Sequence, residues 1–411
     1  MARRRTADPP RLTIWTLASI SLVAAAVLIV HFGNLGDYLQ DAGPSVIGLS
    51  HWDLHAAFAH PPLMGFLSIL LRAPIVAITR LMGGGQALQY ESGCLVCLIP
   101  VAMIGAWLAA SSRGLRRSVI LPLLVVLVAV INPATVGAVG IGHPEEALGA
   151  ALCVGAVLLV TRGHLFAGAV TLGLALATKQ WALLAVGPTL LAVPAGRRMR
   201  LVGVAACSVL LASAIQIVAN PSGFLDMTRT ATDPGTLPTS PGSWLFLVSR
   251  TIQLHLTIPA GSASMLNTHH APVLITAAAR IFLVAAMVPL TLLAARRGQR
   301  REGSTFALLA LLFLIRCVLD PIDNVYYNLP LVLAVLAWEI AGRRRAIPVV
   351  TLLTAFALWV TFDLMTHSTL GLTNLVYMAW SVGLMLYLGR EVLGREPAAD
   401  TTKLRRLAVA H

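Results

Sequence analysis

The chain has 411 residues, of which 57% are hydrophobic and 11% charged, with a mean hydropathy of +0.81 and a formal net charge of +13. Soluble domains carry about 25% charged residues, so a water-solvated globule is excluded and lipid is the expected solvent. The positive charge does not point to nucleic acid, because the arginines cluster between apolar runs as topology signals do, and no basic patch is interleaved with aromatics.

Arg3, Arg4, Arg5 and Arg11 precede the first apolar run. From Leu12 to Val30 that run exceeds the roughly 7–15 residues of a cleavable signal, and no small-x-small cleavage site follows it, so a retained span is expected. A crossing needs about 20 apolar residues. Runs of that order fall near 12–32, 89–110, 118–138, 145–161, 199–219, 271–294, 303–319, 327–342, 346–364 and 372–389. Leu165 to Val193 is too long for one span and is interrupted at Lys179-Gln180, which predicts a hairpin of two short helices. Cys94 and Cys97 form a CxxC inside an apolar run with no further ligand nearby, so they read as small residues at lipid depth, and no metal or cofactor is expected.

The expected fold is therefore an all-α membrane protein of about twelve transmembrane helices, one polytopic domain over residues 1–411. Residues 61–82 are apolar enough to span but hold Pro61, Pro62, Pro74, Arg72 and Arg80. Laying this segment along the outer surface as an interfacial helix turns the later arginine clusters inward. These are Arg113/Arg116/Arg117, Arg162, Arg197/Arg198/Arg200, Arg296/Arg297/Arg300/Arg301, Arg343 to Arg345 and a cytoplasmic tail over about 390–411. Basic residues stay in the cytoplasm, which predicts a plasma-membrane protein with a cytoplasmic N-terminus and an extracytoplasmic working face. Two long outer loops follow, at about 33–88 and 220–270, and the Pro/Ser/Thr/Gly-rich second one favours turns over helix.

The acids sort to that outer face. Asp37, Tyr38 and Asp41 follow the first span, ahead of His51, Asp53, His55 and His60. A carboxylate beside an apolar wall gains proton affinity and can act as a base. His143, Glu145 and Glu146 open a later span, with more acid than capping alone requires. Lys179 is a cation against the topological bias, suited either to snorkelling or to holding an anion. Asp320, Asp323, Tyr327 and the asparagines among them suit hydrogen bonding to a polyhydroxyl ligand. There is no DxD, HExxH or Walker sequence.

In this order and spacing the motifs resemble the GT-C glycosyltransferases that use lipid-linked sugars, and most nearly the actinobacterial polyprenol-phosphate-mannose-dependent mannosyltransferases of the family-87 type. Asp37-Tyr38 stands where that family has an Asp-x-x-Tyr-like stretch, and Ala59-His60-Pro61-Pro62-Leu63 where it has aromatic-Pro-Pro-Leu. Gly142-His143-Pro144-Glu145-Glu146 replaces Gly-Gln-x-Asn, and Lys179-Gln180-Trp181 ends a small-residue helix as the family's lysine does. The resemblance implies a polyprenyl-phosphate sugar donor, commonly mannose, a glycolipid or lipoglycan acceptor, and one inverting displacement. It implies Asp37 as base, with Glu145 or Glu146 second and Asp41 or Asp53 in reserve, and Lys179 with an outer arginine on the leaving phosphate. A secondary transporter or lipid flippase is the alternative reading, and an oligomeric scaffold a third. Transporters usually show two similar halves, and no such repeat is visible.

Overall fold

Backbone in hydrocarbon must satisfy its own hydrogen bonds, so the apolar runs fold as helices. The computed structural model describes residues 11–59, 62, 64–112, 118–232, 238–257, 263–297 and 302–394. The first half runs α1 (Arg11–Phe32), α2 (Gly43–Ser50), α3 (Leu54–Ala59), α4 (Leu67–Leu81), α5 (Gln86–Ser111), α6 (Ile120–Val130), α7 (Pro133–Ile141), α8 (Glu145–Thr161), α9 (Leu165–Leu176) and α10 (Val186–Ala192). The second half adds α11 (Arg198–Ala219), α12 (Pro221–Thr232), α13 (Val273–Arg296), α14 (Glu302–Leu319), α15 (Leu329–Ala337), α16 (Val349–Phe362) and α17 (Leu370–Leu393). Among the described residues, eight helices are long and apolar enough to cross a membrane. This is a multi-pass α-helical membrane protein.

The central helices are α14 and the one formed by α15 with its flanking turns, 83% buried each over their most apolar windows, while α11 and α13, at 17% and 11%, lie at the periphery. Polar residues collect at two ends. At one, Arg162 approaches Glu302 at 3.6 Å, Arg345 approaches Glu339 at 3.2 Å and Arg343 approaches Glu391 at 3.4 Å. At the other, the loop after α1, the α7–α8 loop, the tip following α9 and the α14–α15 loop come together.

Helix α4 has both of its ends at that second end. Ahead of it the Gly65 N–H donates to the Thr178 carbonyl at 3.0 Å, at the tip after α9. Beyond it the chain re-enters α5, whose Tyr90 hydroxyl donates to the Val139 carbonyl near the α7–α8 loop. So α4 lies across the end of the bundle. Its buried positions Leu67, Ser68, Arg72, Ala73 and Val76 face inward, while Leu71, Ile78 and Leu81 are exposed.

The run 118–138 is broken at Asn132-Pro133, because proline cannot donate into the helix preceding it. Asn132 caps α7 by accepting from the Ala134 and Thr135 N–H groups, each at 3.1 Å. The stretch 165–193 forms the expected hairpin: α9, a turn at Ala177-Thr178, Lys179 as the cap of a 3-10 helix over Gln180–Ala185, and α10.

One expectation is corrected. The loop 220–270 is not all turns, since Pro221–Thr232 is helical and capped by Asn220, whose side chain accepts from the Gly223 N–H at 2.9 Å. The same loop holds a short β-hairpin beside the otherwise all-α membrane fold. Arg250–Thr257 (β1) pairs antiparallel with Ala263–His270 (β2), in a register that sets Arg250 opposite His270. Residues 238–243 are irregular as expected, while Asp233 to Leu237, His60, Pro61 and Leu63 lie outside the described residues.

Candidate functional site

The site is assembled by two interlocking loops. After α1 the chain makes a tight turn over Gly36–Leu39, and α7 ends in a left-handed cap at Gly142, φ +106°. Gly36, at φ +40°, abuts the Ile141 carbonyl so closely that a Cβ there would collide with it. A Cβ on Gly142 would stand 2.5 Å from the Tyr38 backbone nitrogen. Only residues without side chains allow this approach, and its result is to set Asp37 against His143.

His143 is the hub. Its Nε2 lies 3.4 Å from Asp37 Oδ2, and its Nδ1 lies 3.0 Å from Glu145 Oε1 and 3.9 Å from Asp41 Oδ2. The Asp37 side chain is 64% exposed and that of Glu145 is fully enclosed, so the imidazole bridges a solvent-facing and a buried carboxylate. Tyr326 stacks on the ring, with centroids 5.0 Å apart and planes 25° apart. Burial opposes protonation of His143, but the hydrogen bond and negative charge of Glu145 outweigh it, and its pKa stands above the ordinary histidine value.

Beneath the histidine lies a buried ion cluster. Lys179 Nζ is 3.2 Å from Glu145 Oε1 and 3.0 Å from Glu146 Oε1, and Arg72 Nη1 is 3.7 Å from Glu145 Oε2. The Lys179 cation thus spans two carboxylates in the first turn of α8. An ammonium has three donors, and two of them meet these carboxylates among the described residues. Arg72 also lies over the Tyr38 ring at 4.8 Å. Its guanidinium nitrogens make no hydrogen bond among the described residues, so it acts on Glu145 as a charge. Glu145, expected as an alternative base, is enclosed and shared among His143, Lys179 and Arg72, which suits it to orient the imidazole rather than to meet a substrate.

The α14–α15 loop forms the far wall. Arg316 packs over Trp181 at 5.3 Å and Tyr327 at 4.7 Å, and stands 3.8 Å from Asp320. Asp323 is fully buried and its two oxygens accept from Asn328 Nδ2 at 3.1 and 3.2 Å, so it serves the loop's structure rather than a ligand. Burial pushes the Asp323 carboxyl up from 3.8 to about 8.

Asp37, Asp41, His143, Glu145, Glu146 and Lys179 thus form one constellation, with Tyr38 and Tyr327 packed beside it. Asp320 and Asp323 belong to the wall. Arg72 was visible in the sequence only as a topological oddity, and Tyr326, next to Tyr327, was missed. A stack on His143 has no signal in sequence spacing. Asp41, His143 and Glu145 bring ligand atoms within 4.8 Å of one another, a grouping that could hold a cation. The Lys179 ammonium, 3.2 Å from that same Glu145, occupies this side with positive charge. No protein-family model and no curated protein matches the chain.

Removing one partner of a buried ion pair strands the other. Lys179→Met is expected to lower stability by about 3–5 kcal/mol, read as a fall in unfolding temperature in detergent, whereas Lys179→Arg retains most of it. Asp323 gives a pH test. Its folded pKa of about 8 lies above the ordinary 3.8, so the folded chain keeps a proton that the unfolded chain releases. Its contribution is therefore fully present below about pH 4 and declines as pH rises through about 8. Asp323→Asn is expected to flatten that decline in unfolding temperature, and an unchanged slope would show that the carboxyl ionises normally.

Proposed function

We propose that the protein is a membrane glycosyltransferase that moves a sugar, mannose by resemblance, from a polyprenyl phosphate to a glycolipid or lipoglycan acceptor. The observation that carries this reading is the Asp37–His143–Glu145 line, which runs from an exposed carboxylate through an imidazole to a buried one. The acceptor hydroxyl attacks the anomeric carbon while the bond from that carbon to phosphate oxygen breaks. The hydroxyl proton goes to Asp37, with His143 Nε2 next in line to take it. Glu145, accepting from Nδ1–H, holds the tautomer whose Nε2 is free to do so, the role an orienting carboxylate plays beside a catalytic histidine. The electron pair leaves with polyprenyl phosphate, whose charge meets the remaining Lys179 donor and needs no acid. A single displacement inverts the sugar. Base catalysis of this kind is worth about 10²–10⁴-fold.

The proposed topology follows. The eight long helices, together with α8, α9, the Gln180–Ala192 segment and α16, make twelve crossings. The short α4 lies on the outer surface, as in a GT-C arrangement. The acidic end faces outward and the arginine-rich end, with the N-terminus, faces the cytoplasm of a plasma-membrane protein. A transporter remains the second reading, favoured by the ion cluster inside the bundle and by the break at Asn132-Pro133, since interrupted helices and buried charges also mark transport pathways.

Asp37→Asn is expected to insert and fold normally while transfer from labelled polyprenyl-phosphate mannose falls at least about 100-fold. Release of polyprenyl phosphate is the readout; substrate translocation without release would favour the transporter. The pH profile provides a second check. With the His143 pKa raised by Glu145, the acid limb of the rate is expected above the ordinary value of about 6.5. Glu145→Gln removes that negative charge, so the limb moves to lower pH. A limb that stays in place would take His143 out of the proton path.

A further inference from the structure

The arginine-rich end carries a second feature, unconnected with the constellation around His143. Between α1, α5, α8 and α9 lies a cavity of about 530 Å³. Ile14, Met103 and Leu152 wall it, and Gly155 leaves it open where a side chain would otherwise project. Its volume falls in the range of about 300–1,000 Å³ typical of ligand pockets. At one end stand Arg162, which closes α8, and His164, which precedes α9. From His164 to Thr171, which also lines the cavity, the wall climbs about 10 Å along α9. The space is thus a slot running from a cationic rim into apolar depth.

The rim is held ready for an anion. The Arg162 guanidinium lies 4.6 Å over the Trp107 ring, a contact that fixes its plane. Its Nε stands 3.6 Å from Glu302 Oε1 without forming a hydrogen bond, and its side chain is 24% exposed. Guanidinium offers five N–H donors in a rigid fork suited to phosphate. His164 beside it is exposed and adds a ring N–H donor. Helix α8, from Glu145 to Thr161, puts about 25 Å between this rim and the Lys179 cluster. A lipid phosphate held at Lys179 therefore does not reach it.

We propose that this slot seats one acyl chain of an anionic phospholipid, with the lipid phosphate on Arg162 and His164. The apolar depth takes the chain and the rim takes the charge, so neither half of the site suffices alone. A choline headgroup would bring its own cation against Arg162, which sets the preference for net-negative lipids. Among the described residues, Arg343 and Arg345 stand at this end as well, and a surface of anionic headgroups is the environment that attracts such cations. The bound lipid would fill the gap between α1 and α9, both of which border the slot.

The test uses the full-length protein in mild detergent, with phosphatidylglycerol or phosphatidylcholine of identical acyl chains added. Retained lipid is counted by native mass spectrometry and unfolding temperature is recorded in parallel. Phosphatidylglycerol is expected to be retained in preference and to raise the unfolding temperature further. Arg162→Gln is expected to weaken its retention about fivefold, with His164→Gln adding to the loss. Gly155→Leu, which fills the slot and leaves the rim intact, is expected to abolish retention of one lipid equivalent. Should that variant fail to fold, Gly155→Ala serves, since its Cβ would make ordinary contacts at 3.5 Å with Ile104 and 3.7 Å with Thr171, and a partial loss is expected. Equal retention of the two lipids would overturn the proposal, as would full retention with the slot filled. Stabilisation by inorganic phosphate alone, equal to that by lipid, would overturn it too, because the acyl chain would then have no part.

Discussion

The ion pairs of Lys179 with Glu145 and Glu146 are the constraint on which the rest of this end of the molecule depends. A lone lysine or glutamate at that depth is expensive. Placed 3.0 and 3.2 Å apart, they become tolerable only together, and they tie the tip of one hairpin to the first turn of α8. That tie determines where Glu145 points, Glu145 determines how the His143 ring is held, and the ring determines what Asp37 can do. Arg72 adds a second positive charge from α4, so three separate segments converge on one carboxylate.

Coulomb attraction alone would be indifferent to which oxygen points where. Direction comes from backbone geometry: the left-handed cap at Gly142 and the turn at Gly36 bring two loops into contact and fix the distance from Asp37 to His143. The Tyr326 ring completes the enclosure by covering one face of the imidazole. An exposed carboxylate, an imidazole and a buried carboxylate thus stand in line from solvent to the protein interior.

Much of this was legible in the sequence, for a physical reason. Ionisable residues in an apolar chain are costly, so each of Asp37, His143, Glu145, Glu146 and Lys179 stood out singly, and the arginine asymmetry put them on one face. The hairpin after α9 was legible because Lys179 interrupts a run too long for one span. Arg72 was ambiguous, since whether it faces lipid, water or a carboxylate depends on the rotation of α4 about its axis. Tyr326 and Tyr327 are adjacent, and only the register of the 3-10 turn over Val325–Asn328 decides which one meets His143. The helix Pro221–Thr232 and the hairpin of β1 with β2 escaped notice because composition was weighed over a whole loop, whereas a cap at Asn220 and a strand pairing act locally.

The tip of the α9–α10 hairpin has a bearing on how the chain enters the membrane. In the topology proposed above, Lys179 is threaded through hydrocarbon to reach its place, and an isolated lysine at the bilayer centre costs about 2.5–3.5 kcal/mol on insertion scales. Glu145 and Glu146 leave the ribosome earlier and can be waiting when the hairpin arrives. Passing beside α8, the lysine then travels with its charge matched by acids rather than alone. Insertion of the hairpin would then be coupled to its neighbour rather than independent, with the three side chains that organise the finished site also easing its entry into the bilayer.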